Sequence, residues 1–265
     1  MKKLLILLML LSFGSFGRVI TLEKGDFFTF SGEVNASTVS TSMKDLLFLL
    51  DERENYVENK PLYLILDTPG GEVTSGNQFI ETITSLEQPV DSIVIFAASM
   101  GFHFTQNTNK RYIVNSGVLM SHKMRGGVEG EFGQPDSQLD KRYELWKGIS
   151  RRMDEAVVKK NGKMNLEQYW KLVENEYWCE GQKCVNDGFA DEVVQVRCGK
   201  TLKGSSEFKA SLSFMGMPIT VTAKKPNCPL FPMYDIDVKF GNEKKALADT
   251  TPEVKARVEK FFKLK

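Results

Sequence analysis

Apolar residues along the chain fall into two alternating kinds of run. Asp26 to Val34 alternates and is rich in Phe, the period of a strand. From Thr38 to about Glu52, Val39, Met43, Leu46, Leu47 and Leu50 recur at helical spacing. Leu62 to Leu66 is a short apolar strand ending in Asp67-Thr68-Pro69-Gly70-Gly71, and a helix is predicted from Ser75 to about Leu86. Val90 to Phe96 reads as another buried strand, after which Ala97-Ala98-Ser99-Met100-Gly101 opens a helix. Arg111 to Val114 and Val118 to Ser121 read as two short strands. Strands alternating with helices imply βαβ units, with parallel strands joined by right-handed crossovers.

The pattern then loosens. Gly126 to Gly133 is Gly-rich, and a long polar helix is predicted from Gln134 to Lys160. Such a helix exceeds what a small core can cover, so it should project or bridge partners. Asn165 to Val173 is a further helix. After Val196 a β-hairpin is predicted over Glu207 to Thr222, around Met215-Gly216-Met217-Pro218. Thr251 to Lys263 reads as an amphipathic helix, capped by Thr251 with Pro252 at its first position. Residues 18–197 are therefore expected to form one domain and 198–265 an α+β appendage.

The N-terminus changes the picture. Lys2 and Lys3, the apolar run Leu4 to Leu11, and the small residues of Ser15-Phe16-Gly17 have the layout of a secretory signal over residues 1–17. The run is short for a membrane span, though an uncleaved anchor is the alternative. Export makes disulfides expected of the four cysteines, Cys179, Cys184, Cys198 and Cys228. If Glu180 starts a helix, Cys179 and Cys184 take staple positions that normally touch, and a short bridge fits there. Cys198 and Cys228 would then flank the hairpin and tie the appendage to the core. Four free thiols are the alternative. A zinc site is disfavoured because no CxxC and no nearby His is present. Lys and Arg number 35 against 34 Asp and Glu, with no basic tract, so nucleic acid is not an expected partner.

Ser99 stands where an apolar strand turns into a helix. Helix N-terminal amides point at its surroundings, and the Met100 N–H is a natural oxyanion donor. Gly70 and Gly71 end a neighbouring strand, on the edge where open α/β sheets place ligands. Their amides can supply a second donor. A serine nucleophile needs a base near neutrality, and the chain has only His103 and His122. His122 follows a strand. His103 lies four residues after Ser99 on the same helix and is poorly placed to reach back, so His122 is preferred.

These runs, Leu46-Leu47-Phe48-Leu49, Leu62 to Gly71, Ala97 to Gly101, Lys110-Arg111-Tyr112 and Met120-Ser121-His122, resemble in order and spacing the proteolytic subunit of the Clp protease. The resemblance runs from about residue 27 to 196. It implies a Clp/crotonase-like spiral of ββα units, with the helix from Gln134 as a projecting handle through which rings stack as homo-oligomers. It implies a Ser-His-acid triad with Ser99 as nucleophile, His122 as base, and Gly71 and Met100 as oxyanion amides. Matching Gly188-Phe189-Ala190-Asp191 to the family's closing segment puts Glu176 at the acid position, with Asn175 and Glu174 as alternatives. Extended substrate would pair beside Gly70, Gly71, Glu72 and Val73 on one side and Lys123 and Met124 on the other.

The expected function is thus an exported, ATP-independent serine endopeptidase acting on unfolded or short peptides, with no cofactor, metal or ATP-driven unfoldase. One alternative is a signal-peptide-peptidase-like Ser-Lys enzyme using Lys110, Lys123 or Lys147. The others are a crotonase-type acyl-transfer or lyase enzyme and a catalytically inactive scaffold.

Overall fold

A computed structural model of the chain describes residues 17–54, 61–126, 136–214, 217–230 and 235–240. Residues 1–16 of the signal-like segment, residues 127–133 of the Gly-rich stretch, and the helix expected after Thr251 lie outside them. The chain divides into two units, Met1–Arg197 and Cys198–Lys265.

The first unit begins with β1 (Val19–Leu22) and β2 (Phe27–Ser31). Next come α1 (Ala36–Glu54), β3 (Leu62–Thr68), α2 (Val73–Thr84), β4 (Val90–Ala98), α3 (Met100–Gln106) and β5 (Arg111–Ser121). α4 (Asp136–Asn161), α5 (Leu166–Leu172), β6 (Tyr177–Glu180), α6 (Gln182–Asn186) and β7 (Glu192–Cys198) complete it. The strands make one sheet in the order β1-β7-β5-β4-β3-β2, with β6 added to β5. The pairs β2–β3, β3–β4, β4–β5 and β5–β7 are parallel, as the alternation of strands and helices requires. This mixed α/β architecture with a parallel central sheet is the kind that the sequence resemblance implies.

The two short strands predicted between Arg111 and Ser121 are one strand with a break in its pairing. Val94 faces Ile113, but Phe96 already faces Val118. The first half of β5 pairs in parallel with β7, whereas Val118–Ser121 pairs antiparallel with β6. β5 therefore turns its second half away, and its end carries His122. An ion pair anchors the first half. The buried Arg111 donates to Gln106 Oε1 at 2.7 Å and to the Gly188 carbonyl at 2.9 Å, and its guanidinium meets Asp191 at 2.5 Å. Phe28, Phe30, Phe79 and Phe104 form a ring-to-ring core under α2 and α3. Among the described residues no helix is long and apolar enough to cross a membrane.

The second unit contains an antiparallel sheet, β8 (Ser205–Phe214), β9 (Met217–Pro226) and β10 (Asp235–Phe240), in the order β10-β9-β8. The expected hairpin is β8–β9, with a third strand that the hydrophobic pattern did not indicate. Both expected disulfides are present, Cys179–Cys184 and Cys198–Cys228. The setting of the first differs from expectation. α6 starts at Gln182 with Gly181 as N-cap, so Glu180 ends β6 and Cys179 is a strand residue. Cys198 is the last residue of β7 and the first of the second unit, and it bridges to Cys228 beyond β9.

Candidate active site

Ser99 joins β4 to α3 with φ 53° and ψ −114°, a conformation that side chains other than glycine seldom adopt. Holding it costs about 1–3 kcal/mol and needs the surroundings to over-determine it. They do. Every residue of α3 is buried, and the Ser99 N–H donates to the Met120 carbonyl of β5 at 2.9 Å. The turn thus faces the hydroxyl toward the end of β5, where His122 stands.

The Ser99 hydroxyl and His122 Nε2 are 2.8 Å apart. His122 Nδ1 lies 2.6 Å from the Lys123 carbonyl oxygen. A carbonyl oxygen can only accept, so Nδ1 carries the proton and Nε2 is left to accept from the serine. This is the tautomer that a general base requires.

Two backbone donors border the serine. Met100 is the first residue of α3, and its N–H has no intrahelical acceptor. A parallel bridge joins Val34 to Gly71, using the Gly70 carbonyl and the Glu72 N–H at 2.8 Å each. That pattern leaves the Gly71 N–H outside the ladder. Gly71, Ser99, Met100 and His122 line a cavity of about 190 Å³, together with Val73, Met124 and Asp154. A wider cavity of about 1030 Å³ shares Gly71, Val73, Met124 and Asp154 and adds Glu72 and Lys123. Of the expected substrate-side residues, Gly71, Glu72, Val73, Lys123 and Met124 therefore line these cavities. Gly70 packs behind Ser99 instead.

Glu176 does not meet the imidazole. Its carboxylate accepts from the Arg125 guanidinium at 2.5 Å and from Trp178 Nε1 at 3.2 Å. Those two bonds hold its carboxyl below the ordinary glutamate range, with only a small further contribution from nearby His122. The physical reason is competition: a charged guanidinium is a stronger donor than a neutral imidazole N–H. Glu176 also has φ 65°, a second backbone outlier beside the site. Glu174 pairs with Lys123 at 3.8 Å, and neither it nor Asn175 is bonded to the ring. None of the candidate lysines meets Ser99: Lys147 pairs with Glu144, and Lys110 lies at the far end of β5.

A family model described as Clp protease matches residues 19–197. The chain belongs to the Clp protease family. Relatives named "ATP-dependent Clp protease proteolytic subunit" come from Streptococcus pyogenes serotype M5 (strain Manfredo) and Streptococcus equi subsp. equi (strain 4047). Each is 28% identical over 177 residues, covering 66% of this chain and 87% of the relative. As a Clp protease the chain is a serine endopeptidase. The match ends where the first unit ends, so the three-stranded second unit lies outside it.

Several residues around this Clp protease site were not singled out from sequence. Ser150, Met153 and Asp154 of α4 close one side of the smaller cavity, and Trp170 of α5 lines the wider one. Their spacing, i, i+3 and i+4, puts the three on one helix face. The polar sequence of α4 did not say which face would turn to Ser99.

His103 is buried, and its Nδ1 has no partner among the described residues. Burial, helped by nearby His122, pushes its pKa from 6.5 to about 4. The unfolded chain therefore binds a proton that the folded one refuses between those values. Stability is lost as pH falls from 6.5 to about 4, by about 3 kcal/mol from this group. Asp154 acts with the opposite sign: burial raises its pKa from 3.8 to about 6, so its cost disappears on acidification. The two offset each other in the wild type. Comparing His103→Leu with wild type in urea titrations at pH 7 and pH 4.5 should therefore show the variant gaining about 2–3 kcal/mol in relative stability at the lower pH. A gap that does not move with pH would mean that His103 is not held neutral.

Proposed function

We propose that the chain is an exported, ATP-independent serine endopeptidase in which Ser99 is the nucleophile and His122 the base. The 2.8 Å contact between Ser99 Oγ and His122 Nε2, in the tautomer fixed by the Lys123 carbonyl, carries the reading. His122 takes the hydroxyl proton as Oγ attacks the peptide carbonyl. The Gly71 and Met100 N–H groups receive the oxyanion, His122 protonates the leaving amine, and water then releases the acyl group. The signal-like segment and the two disulfides support export. In the periplasm or outside the cell no ATP supply drives an unfoldase, so substrates are unfolded or short peptides. Homo-oligomeric assembly follows from family membership, with α4 as the handle; Tyr143, Leu145 and Trp146 expose large apolar surface on it.

A fluorophosphonate probe on the purified chain, without ATP, should form one adduct that mass spectrometry places on Ser99. An adduct elsewhere, or no adduct alongside no peptide hydrolysis, would overturn the assignment.

In this arrangement the Lys123 carbonyl orients the base, and Glu176 acts on it only through its charge. Glu176→Gln should lower kcat by about tenfold or less. A loss as deep as that of His122→Ala would show instead that the carboxylate leaves Arg125 and takes Nδ1 in the working enzyme.

A further inference from the structure

One charge in the cavity against Ser99 is left without a countercharge. Ser150, Met153 and Asp154 present one face of α4 to it, and Trp170 fixes Asp154 by donating Nε1–H to Oδ2 at 2.8 Å. Oδ1 has no protein partner among the described residues. The cations nearby are engaged elsewhere: Arg125 with Glu176 at 2.5 Å, Arg151 with Glu155 at 2.8 Å, and Lys147 with Glu144 at 3.3 Å. Of the two histidines lining the cavity, His103 is kept neutral by burial and His122 is bonded to Ser99. The carboxyl pKa is raised by burial to about 6, with the Trp170 bond pulling the other way and Glu155 adding to the rise, and no cation offsets it. Arg125 also lines the cavity, with its guanidinium taken by Glu176, and the walls at Val73, Met100, Met124 and Met153 are apolar.

We infer that Asp154 makes this cavity the subsite for a cationic substrate side chain, so that the enzyme cuts after Lys or Arg. The apolar walls suit an alkyl stem, and the free Oδ1 suits its charged head as a charge-assisted hydrogen bond. Trp170 already occupies Oδ2. A single free oxygen gives a one-ended bond, so Lys serves as well as Arg here. A half-buried carboxylate without a partner is costly, and a cation from the substrate relieves that cost in the bound complex.

The inference rests on Ser99 as the nucleophile, and the test separates the two. Peptide substrates identical except for Lys, Arg or Leu before the cleaved bond should give a kcat/KM at least about tenfold higher for Lys and Arg than for Leu. Asp154→Asn keeps an oxygen for Trp170 but removes the charge, and should shrink that ratio by a similar factor. Independently of turnover, p-aminobenzamidine should bind saturably to wild type and to Ser99→Ala, read by its fluorescence. The neutral p-aminobenzamide should bind at least about tenfold more weakly. Leu preferred over Lys in a protein that still labels at Ser99 overturns the cationic subsite and leaves the peptidase standing. Amidine binding with no labelling at Ser99 supports the subsite and sinks the peptidase. Equal binding of amidine and amide to wild type overturns the subsite even if the Asn variant fails to fold.

Discussion

Ser99→Ala, His122→Ala and the double variant should lose peptidase activity to one common level, about 10³–10⁶-fold below wild type. In the proposed mechanism the two side chains form a single device. Without His122 the hydroxyl has no acceptor for its proton; without Ser99 the imidazole has no nucleophile to activate. What survives in all three variants is the catalysis supplied by the Gly71 and Met100 amides and by substrate positioning. Neither side chain carries the fold: both are half-buried, and their mutual bond is the one polar link at stake between them. The variants should therefore unfold at nearly the wild-type temperature. The measurement is kcat/KM for one peptide on all four proteins. A double variant weaker than both singles by the product of their losses would show that the residues act independently.

The parts of this site that lie within one local pattern were legible before the structure. An apolar strand, then small residues, then a helix placed Ser99. A strand ending in two glycines placed Gly71, and a strand leading into one of the chain's only two histidines placed His122. Each of these signals spans about ten residues, and strand ends of a parallel sheet gather on one edge. What was not legible depends on which distant residues compete. Glu176 stands at the position expected for an acid, but its partner Arg125 comes from the chain after β5, 51 residues away in sequence. No spacing rule weighs a guanidinium against an imidazole. The Cys179–Cys184 pair was expected from a helix start that the structure moves to Gln182, so the bridge was right and its framework was not. The short strands β1 and β6 have four residues each, too few to show a period. β7 carries alternation in Val194-Gln195-Val196-Arg197, but four positions do not separate strand from loop.

The same edge makes Gly70 a sensitive backbone position beside Ser99. Gly70→Ala should cost about 2–5 kcal/mol of stability and lower the rate of fluorophosphonate labelling at least about 10²-fold. Gly70 has φ +90°, in the left-handed region, where an alanine is strained whatever space it has. Here it also has no space. An added Cβ would lie 2.6 Å from the Ala98 carbonyl oxygen, 2.6 Å from Ser99 Cβ and 2.8 Å from the Met100 nitrogen. All three belong to the turn that holds Ser99 and the Met100 amide, so relief of the clash must displace the groups proposed to react. The Thr68 hydroxyl, which accepts from the Gly70 N–H at 3.1 Å and donates to the Gly32 carbonyl at 2.6 Å, ties this glycine to β2 and limits movement the other way. Gly25→Ala separates the two contributions. Gly25 has φ +93° but nothing within 4 Å of an added Cβ, so it should show the backbone strain without the loss of labelling. If Gly70→Ala were to label at the wild-type rate, the turn at Ser99 would have to be far more compliant than its buried helix and its bond to Met120 allow.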